Sequence, residues 1–322
     1  MQENKITFLL TLKDRSEHTE NWIKNNYNKK FKFHIADGSF GDENKNILLK
    51  YHFQNLTYKH YGIDESVVTY INKIINSIND IDTEYIMICD NDDYLNFVGI
   101  EKCIKALDKN TDYTCAGGTI YSIFENNLSP NHHNLPIPFL NNSKLHGKKS
   151  GFSVFKEVRR DYKYLYYSVF RKNDFKKIYD FISNFQLKDL FLIEMLHNDL
   201  TLLWGKYFDI GQNHYIRLMN TKKSGANSYG SYYHKRIFFD KSYRSEVDKL
   251  NILYCELFNK KIHEIEDIQS NFYLWYFNQP PRIKNIFFRK IHGLLIKFPI
   301  FKINTCIKIL NLYFSFKKKN NV

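Results

Sequence analysis

Three carboxylates crowd into four residues at Asp90, Asn91, Asp92 and Asp93, directly after the apolar run 85–89. Carboxylates this close repel one another, and an isolated one is driven towards its neutral form. A hard divalent cation resolves the conflict. Mg2+ or Mn2+ usually takes one or two carboxylates and completes its shell with phosphate oxygens. Such an ion stabilises the negative charge that develops on a departing phosphate group. An Asp-rich turn that only caps the next helix has the same composition, so placement decides between the two readings. Here a buried strand delivers the acids at its end, which favours chemistry.

The elements around this turn alternate between two periods. Short apolar runs at 6–11, 31–36, 56–60, 85–89 and 114–120 read as strands. Between them, 17–27, 43–53, 66–78 and 98–107 read as helices; the third places Val67, Val68, Ile71, Ile74, Ile75 and Ile78 at helical spacing. Alternation of this kind implies βαβ units and a mainly parallel sheet. Ligands of such sheets bind at the carboxyl ends of the strands. Residues 122–172 read as irregular, with Pro130, Pro136 and Pro138 and a basic-aromatic stretch at 156–171. Residues 189–204 look helical and stop at Gly205, a C-cap residue. A strand at 216–220 then leads into a Gly-, Ser- and Asn-rich stretch at 221–231 that reads as a mobile loop.

From residue 240 the pattern is helical, broken at Pro280 and Pro281. The chain carries a formal charge of +13, yet no Asp or Glu occurs from Gln269 to Val322, and that stretch holds ten Lys and Arg. Its basic residues flank two apolar stripes, one through Ile283, Ile286, Phe287, Ile291, Leu294, Leu295 and Phe298, the other through Ile303, Cys306, Ile307, Leu310 and Phe314. This composition suits an interfacial helix on an anionic membrane; packing on protein is the alternative. Nucleic acid is disfavoured, because no binding motif accompanies the charge. The five cysteines are widely spaced without a CxxC pair, which fits reduced thiols. No secretory leader and no run long enough to span a membrane is read in the sequence, so a cytoplasmic protein peripheral to the inner face of the membrane is expected.

At these residues the chain resembles the GT-A glycosyltransferases, specifically glycosyltransferase family 2 and its bacterial relatives that build surface polysaccharides. The likeness runs from about Ile6 to Ser231. Residues 6–15, with Thr11 and Arg15, resemble the opening strand and turn where the nucleotide enters. Asp37, followed by Gly38 and Ser39, is similar to the element whose Asp contacts the base. Asp90, Asn91, Asp92 and Asp93 resemble the metal motif. By that likeness Asp90 and Asn91 lie on the donor side, Asp92 and Asp90 hold Mn2+ or Mg2+, and Asp93 holds the turn. Glu194 lies eleven residues before Gly205, as the family's base does before its glycine. Ile193 stands where a first acid is expected, and Asp189 and Asp199 are rivals for the base. Tyr215 and Arg217 resemble the family's Tyr-Arg strand; Arg217, Lys222 or Lys223 would meet the diphosphate. Lys73 stands roughly where the family keeps an Arg-Asn pair for the donor. His132 and His133 read as polar surface or acceptor contacts, with no partner spacing for a metal.

The resemblance implies an α/β, Rossmann-like nucleotide-diphospho-sugar transferase fold of the GT-A type. It has a mostly parallel sheet flanked by helices, with a C-terminal helical extension. The expected division is a catalytic domain over 1–239 and a helical region over 240–322, whose basic amphipathic tail covers 282–322. The implied reaction moves a sugar from a nucleotide-diphosphate donor to a hydroxyl of a surface glycan or lipid-linked glycan; an inverting course would use Glu194 as base. A nucleotidyltransferase on a similar fold is the first alternative, weakened because Leu12, Lys13, Asp14 and Arg15 include no glycine for a phosphate loop. A non-catalytic membrane-bound scaffold or glycan-binding protein is the second.

Overall fold

The computed structural model describes residues 5–51, 53–124, 136–140, 142–148, 151–160, 164–219 and 240–277, with Lys308 and Asn311. All seven residues of β1 (Ile6–Leu12) are buried. A strand apolar on both faces belongs inside a sheet covered on both sides. Accordingly β1 pairs in parallel with β2 (Lys32–Asp37) on one side and β4 (Tyr85–Asp90) on the other, and β2 pairs in parallel with β3 (Leu56–His60). The connections are α1 (Ser16–Asn26), α2 (Glu43–Leu49) and α3 (Val67–Asp80). The α3 helix starts in a reciprocal cap between Ser66 and Thr69, which satisfies backbone N–H groups that lack helical partners. Parallel pairing brings Leu12, Asp37 and Asp90 to one edge.

The order continues with β5 (Tyr94–Leu95), α4 (Phe97–Lys109), β6 (Cys115–Phe124), β7 (Ile137–Leu140), a 3-10 turn (Ser143–Leu145), α5 (Phe152–Arg160) and β8 (Val169–Arg171). It ends with α6 (Lys172–Phe185), α7 (Leu190–Trp204), β9 (Tyr207–Met219), α8 (Lys241–Phe258) and α9 (Ile262–Phe277). Among the described residues one nine-stranded sheet results, ordered β3-β2-β1-β4-β8-β6-β9-β5, with β7 on β6. The sheet is mainly parallel, as expected from the sequence, with short antiparallel pairings added. Here β8 is antiparallel to both β4 and β6, β5 is antiparallel to β9, and β7 is antiparallel to β6, while β6 and β9 run parallel. Strand–helix alternation signals parallel pairing, and that alternation ends with β6. The stretch read as irregular contains α5 and β8, and β9 begins at Tyr207 rather than at residue 216.

The α7 helix is buried nearly all round, as expected of a helix inside a core. Helices α8 and α9 add Tyr243, Leu250, Tyr254, Ile265 and Phe272 to the same apolar cluster that holds β1 and α7. Among the described residues no helix is long and apolar enough to cross a membrane, and Cys89, Cys103, Cys115 and Cys255 are free thiols.

Candidate active site

The β4 strand ends at Asp90, and the turn into β5 carries Asn91, Asp92 and Asp93. One oxygen from each of Asp90, Asp92 and Asp93 lies within 4.8 Å of the others. Burial and the charge of Asp92 push the carboxyls of Asp90 and Asp93 upward from the usual range. Asp93 is 2% exposed. Its Oδ1 accepts from the Leu218 N–H at 2.8 Å, tying the turn to β9, while its Oδ2 accepts no hydrogen bond from a described residue. Three converging carboxylates with a buried oxygen left over fit a hard divalent cation.

Two guanidiniums face these acids. Arg15 pairs with Asp92 at 2.5 Å. Burial alone would lower the Arg15 pKa, but Asp92, Asp90 and Asp93 outweigh it and raise it. Arg15 and Asp14 both sit in the left-handed region, at φ 57° and 54°, a conformation that costs a non-glycine residue about 1–3 kcal/mol. The surrounding bonds hold this turn in place. Asp14 N–H donates to Ser39 Oγ at 2.7 Å, Phe40 N–H donates to Asp14 Oδ1 at 3.2 Å, and Asn44 Nδ2 donates to the Asp14 carbonyl at 3.1 Å. The loops after β1 and β2 are thus locked together at the carboxyl edge. Arg217, on β9, lies 3.9 Å from Asp93 and rests over the rings of Tyr164 and Tyr167.

Glu194 is half-buried on α7, near enough to Arg217 and Asp90 for their charges to act on it. Burial pushes its carboxyl up to about 7; the nearby Arg217 pulls it down, and Asp90 adds to the rise. A carboxylate in that range is suited to proton transfer near neutral pH. The two rivals have structural partners instead. Asp189 caps α7, its Oδ1 accepting from the N–H groups of Phe191 and Leu192 at 2.9 and 3.2 Å. Asp199 is paired with Arg159 inside the core. Five residues separate Glu194 from Asp199, about 140° around a helix, so the two point to different neighbours.

Other expected donor contacts separate into two groups. Thr11 lies between Ala36 and Asp90 in register at the carboxyl edge. Asp37 is fully buried: its Oδ1 accepts from Ser39 N and Oγ at 2.9 and 2.6 Å, and its Oδ2 from the Tyr58 hydroxyl at 3.0 Å. Lys73 is corrected from a donor contact to an internal brace. It is 2% exposed; its amine pairs with Asp64 and donates to the Leu12 carbonyl at 2.8 Å. Asn91 likewise faces inward, its amide donating to the Arg15 carbonyl at 3.3 Å and to Thr19 Oγ1 at 3.0 Å, which fixes the β1–α1 turn. His132, His133, Lys222, Lys223, the 221–231 stretch and all of the 282–322 tail except Lys308 and Asn311 lie outside the described residues.

The sequence reading missed Tyr167. Its hydroxyl donates to Asp90 Oδ2 across 77 residues of chain. The only signal was the density of tyrosines at Tyr164, Tyr166 and Tyr167, which reads equally well as core.

No family model and no curated protein matches the chain. Solved structures do. S. aureus TarS 1-349 superposes with a TM-score of 0.55 at 12% identity, over 88% of this chain and 77% of that one. The same TarS piece in complex with UDP-GlcNAc gives 0.53 at 13% identity, over 85% and 73%. A longer S. aureus TarS chain gives 0.51 at 11% identity, and there the match spans 46% of its length. TarS is a GT-A-type glycosyltransferase. The likeness is one of fold, and it defines this chain as an α/β protein of the GT-A fold.

Proposed function

We propose that the chain is a metal-dependent glycosyltransferase that takes a sugar from a nucleotide-diphosphate donor and passes it to a hydroxyl of a glycan or lipid-linked glycan. The observation that carries this reading is the convergence of Asp90, Asp92 and Asp93 at the carboxyl end of β4, in a fold shared with a protein solved in complex with UDP-GlcNAc. In this reading Asp90 and Asp92 hold Mn2+ or Mg2+, with Asp93 beside them. When bound, the ion supplies positive charge to the departing diphosphate.

The chain's own residues do the rest. Arg15 and Arg217 flank the carboxylates and offer planar, multiply donating groups to phosphate oxygens. Asp37 shapes the loop after β2 that receives the base, and the locked β1 and β2 loops hold the donor's approach fixed. Glu194, ionised above about pH 7, accepts the acceptor hydroxyl's proton as that oxygen attacks the anomeric carbon from the face opposite the leaving diphosphate. Inversion follows from that arrangement.

A panel of nucleotide-sugars, UDP-sugars first, tests the reading by thermal shift with and without Mn2+. Ligand at a hundred times its Kd stabilises by about 2.7 kcal/mol. A donor should therefore raise the melting temperature only with metal, and Asp92→Ala should erase the shift. A panel that leaves wild type unmoved sinks the proposal.

The basic tail would hold the enzyme on anionic lipid at the cytoplasmic face of the membrane, near a lipid-linked acceptor. Each basic residue near the surface contributes about 1 kcal/mol. Deleting residues 282–322 should free the protein from vesicles containing anionic phospholipid, while co-sedimentation that persists would refute the anchor.

A further inference from the structure

The geometry points to Tyr167 as a positioning residue that fixes how Asp90 presents its carboxylate. We infer that the Tyr167 hydroxyl occupies Asp90 Oδ2 and leaves Oδ1 as the oxygen offered to a cation or donor. This rests on the metal-and-donor reading of the site proposed above.

Tyr167 has no freedom to do anything else. Its ring stacks on Tyr215 at 4.4 Å and 16°. The guanidinium of Arg217 lies 5.4 Å from its centroid. Its backbone carbonyl is 3.0 Å from His214 Nε2. The other nitrogen of His214, Nδ1, accepts from the Gly118 N–H at 3.0 Å. The imidazole is therefore neutral with its proton on Nε2, and Nε2 donates to Tyr167. A carboxylate oxygen accepts and a phenol donates, so the direction of the bond to Asp90 Oδ2 is set. Tyr215, on the other face of the stack, accepts from the Asp90 N–H at 3.3 Å. Both the backbone and the side chain of Asp90 are thus set from one β9 stretch, His214 to Arg217, and from the turn before β8.

Arg217 completes the linkage, since it touches Tyr167 by its π face and Asp93 by its charge. An anionic carboxylate beside two others needs a fixed orientation to hold a cation. Groups that orient a ligating carboxylate typically change metal affinity about 10- to 100-fold when removed.

Tyr167→Phe keeps the ring and its stack and removes only the hydroxyl. Calorimetric titration of Mn2+ in the presence of UDP, on the full chain, should show affinity about 10- to 100-fold weaker than wild type. Turnover with the donor found by thermal shift should fall at limiting Mn2+ and return towards wild type at saturating Mn2+. A merely structural tyrosine predicts loss that no excess of metal restores, and that result overturns the inference. So does an Mn2+ affinity within twofold of wild type. Should wild type itself bind no Mn2+ with UDP, the functional proposal fails first and this one with it. Circular dichroism at the titration temperature guards against unfolding; if Tyr167→Phe does not fold, Tyr167 is structural and the inference is wrong.

Discussion

Two buried clusters of charge sit a short way apart on α7, and they are built on opposite principles. Around Asp199 every charge is matched. Arg159 meets both carboxylate oxygens, at 3.1 and 2.5 Å, while its Nε donates to Gln269 at 2.8 Å, and Tyr254 donates at 2.5 Å to the Asp199 oxygen it shares with Arg159. The rings of Phe155, Tyr254 and Phe272 pack against the guanidinium. Around Asp90 four acids, Asp90, Asp92, Asp93 and Glu194, face two guanidiniums, Arg15 and Arg217. Burial is the main reason the carboxyls of Asp90, Asp93 and Glu194 are raised, as it raises that of Asp199 too, but only around Asp90 do neighbouring acids add to the rise. A balanced cluster specifies packing. An unbalanced one is suited to hold something positive, and acids that raise one another in this way are the pattern expected of a functional site.

The most severe way to test that contrast is Glu194→Gln. Loss of a positioned base lowers turnover by about 10²–10⁴-fold, while donor affinity measured by calorimetry should stay within about threefold, because the base acts on the acceptor. The wild-type rate should rise with pH through about 7. The sign follows from the role: a base must be ionised, so activity is lost as pH falls below the raised pKa. Near-normal turnover of the variant, or a rate that falls with rising pH through 7, would remove Glu194 from the reaction.

The contrast also explains what the sequence could and could not reveal. Asp90, Asp92 and Asp93 were readable because a buried strand and three acids lie within one local window. Glu194 was singled out by its spacing to Gly205, but the sequence offered no way to choose among Glu194, Asp189 and Asp199. What separates them is the tertiary partner: the helix's own N–H groups for Asp189, Arg159 for Asp199, the carboxyl edge for Glu194. Lys73 misled for the same reason. It is buried on α3 beside Ser77, where a lysine is tolerated only because Asp64, nine residues earlier, is buried next to it. The strands β5 and β8 and the first part of β9 escaped detection for a different reason. The two residues of β5 and the three of β8 are too short to show a period, and Asp209, Gly211 and Asn213 make the first part of β9 read as a loop. Their pairing with distant strands supplies what local sequence does not. Tyr167 belongs with them: its partner is 77 residues away.

A subtler way to break the contrast acts on the balanced cluster. Arg159→Met should destabilise the fold by about 3–5 kcal/mol, because it strands the Asp199 carboxylate in an apolar surround. Urea unfolding at pH 7 measures that loss. Arg159→Met combined with Asp199→Leu should regain part of it, since no lone charge then stays buried, although the Tyr254 hydroxyl and Gln269 lose a partner and hold the recovery short of wild type. The decisive arm is functional. Donor affinity per folded molecule should be unchanged in both variants, because Arg159 joins α5, α7, α8 and α9 and touches none of the acids at the carboxyl edge. If Mn2+-dependent nucleotide binding falls in step with stability, the two clusters are energetically one, and charge balance is no guide to which of them does the chemistry.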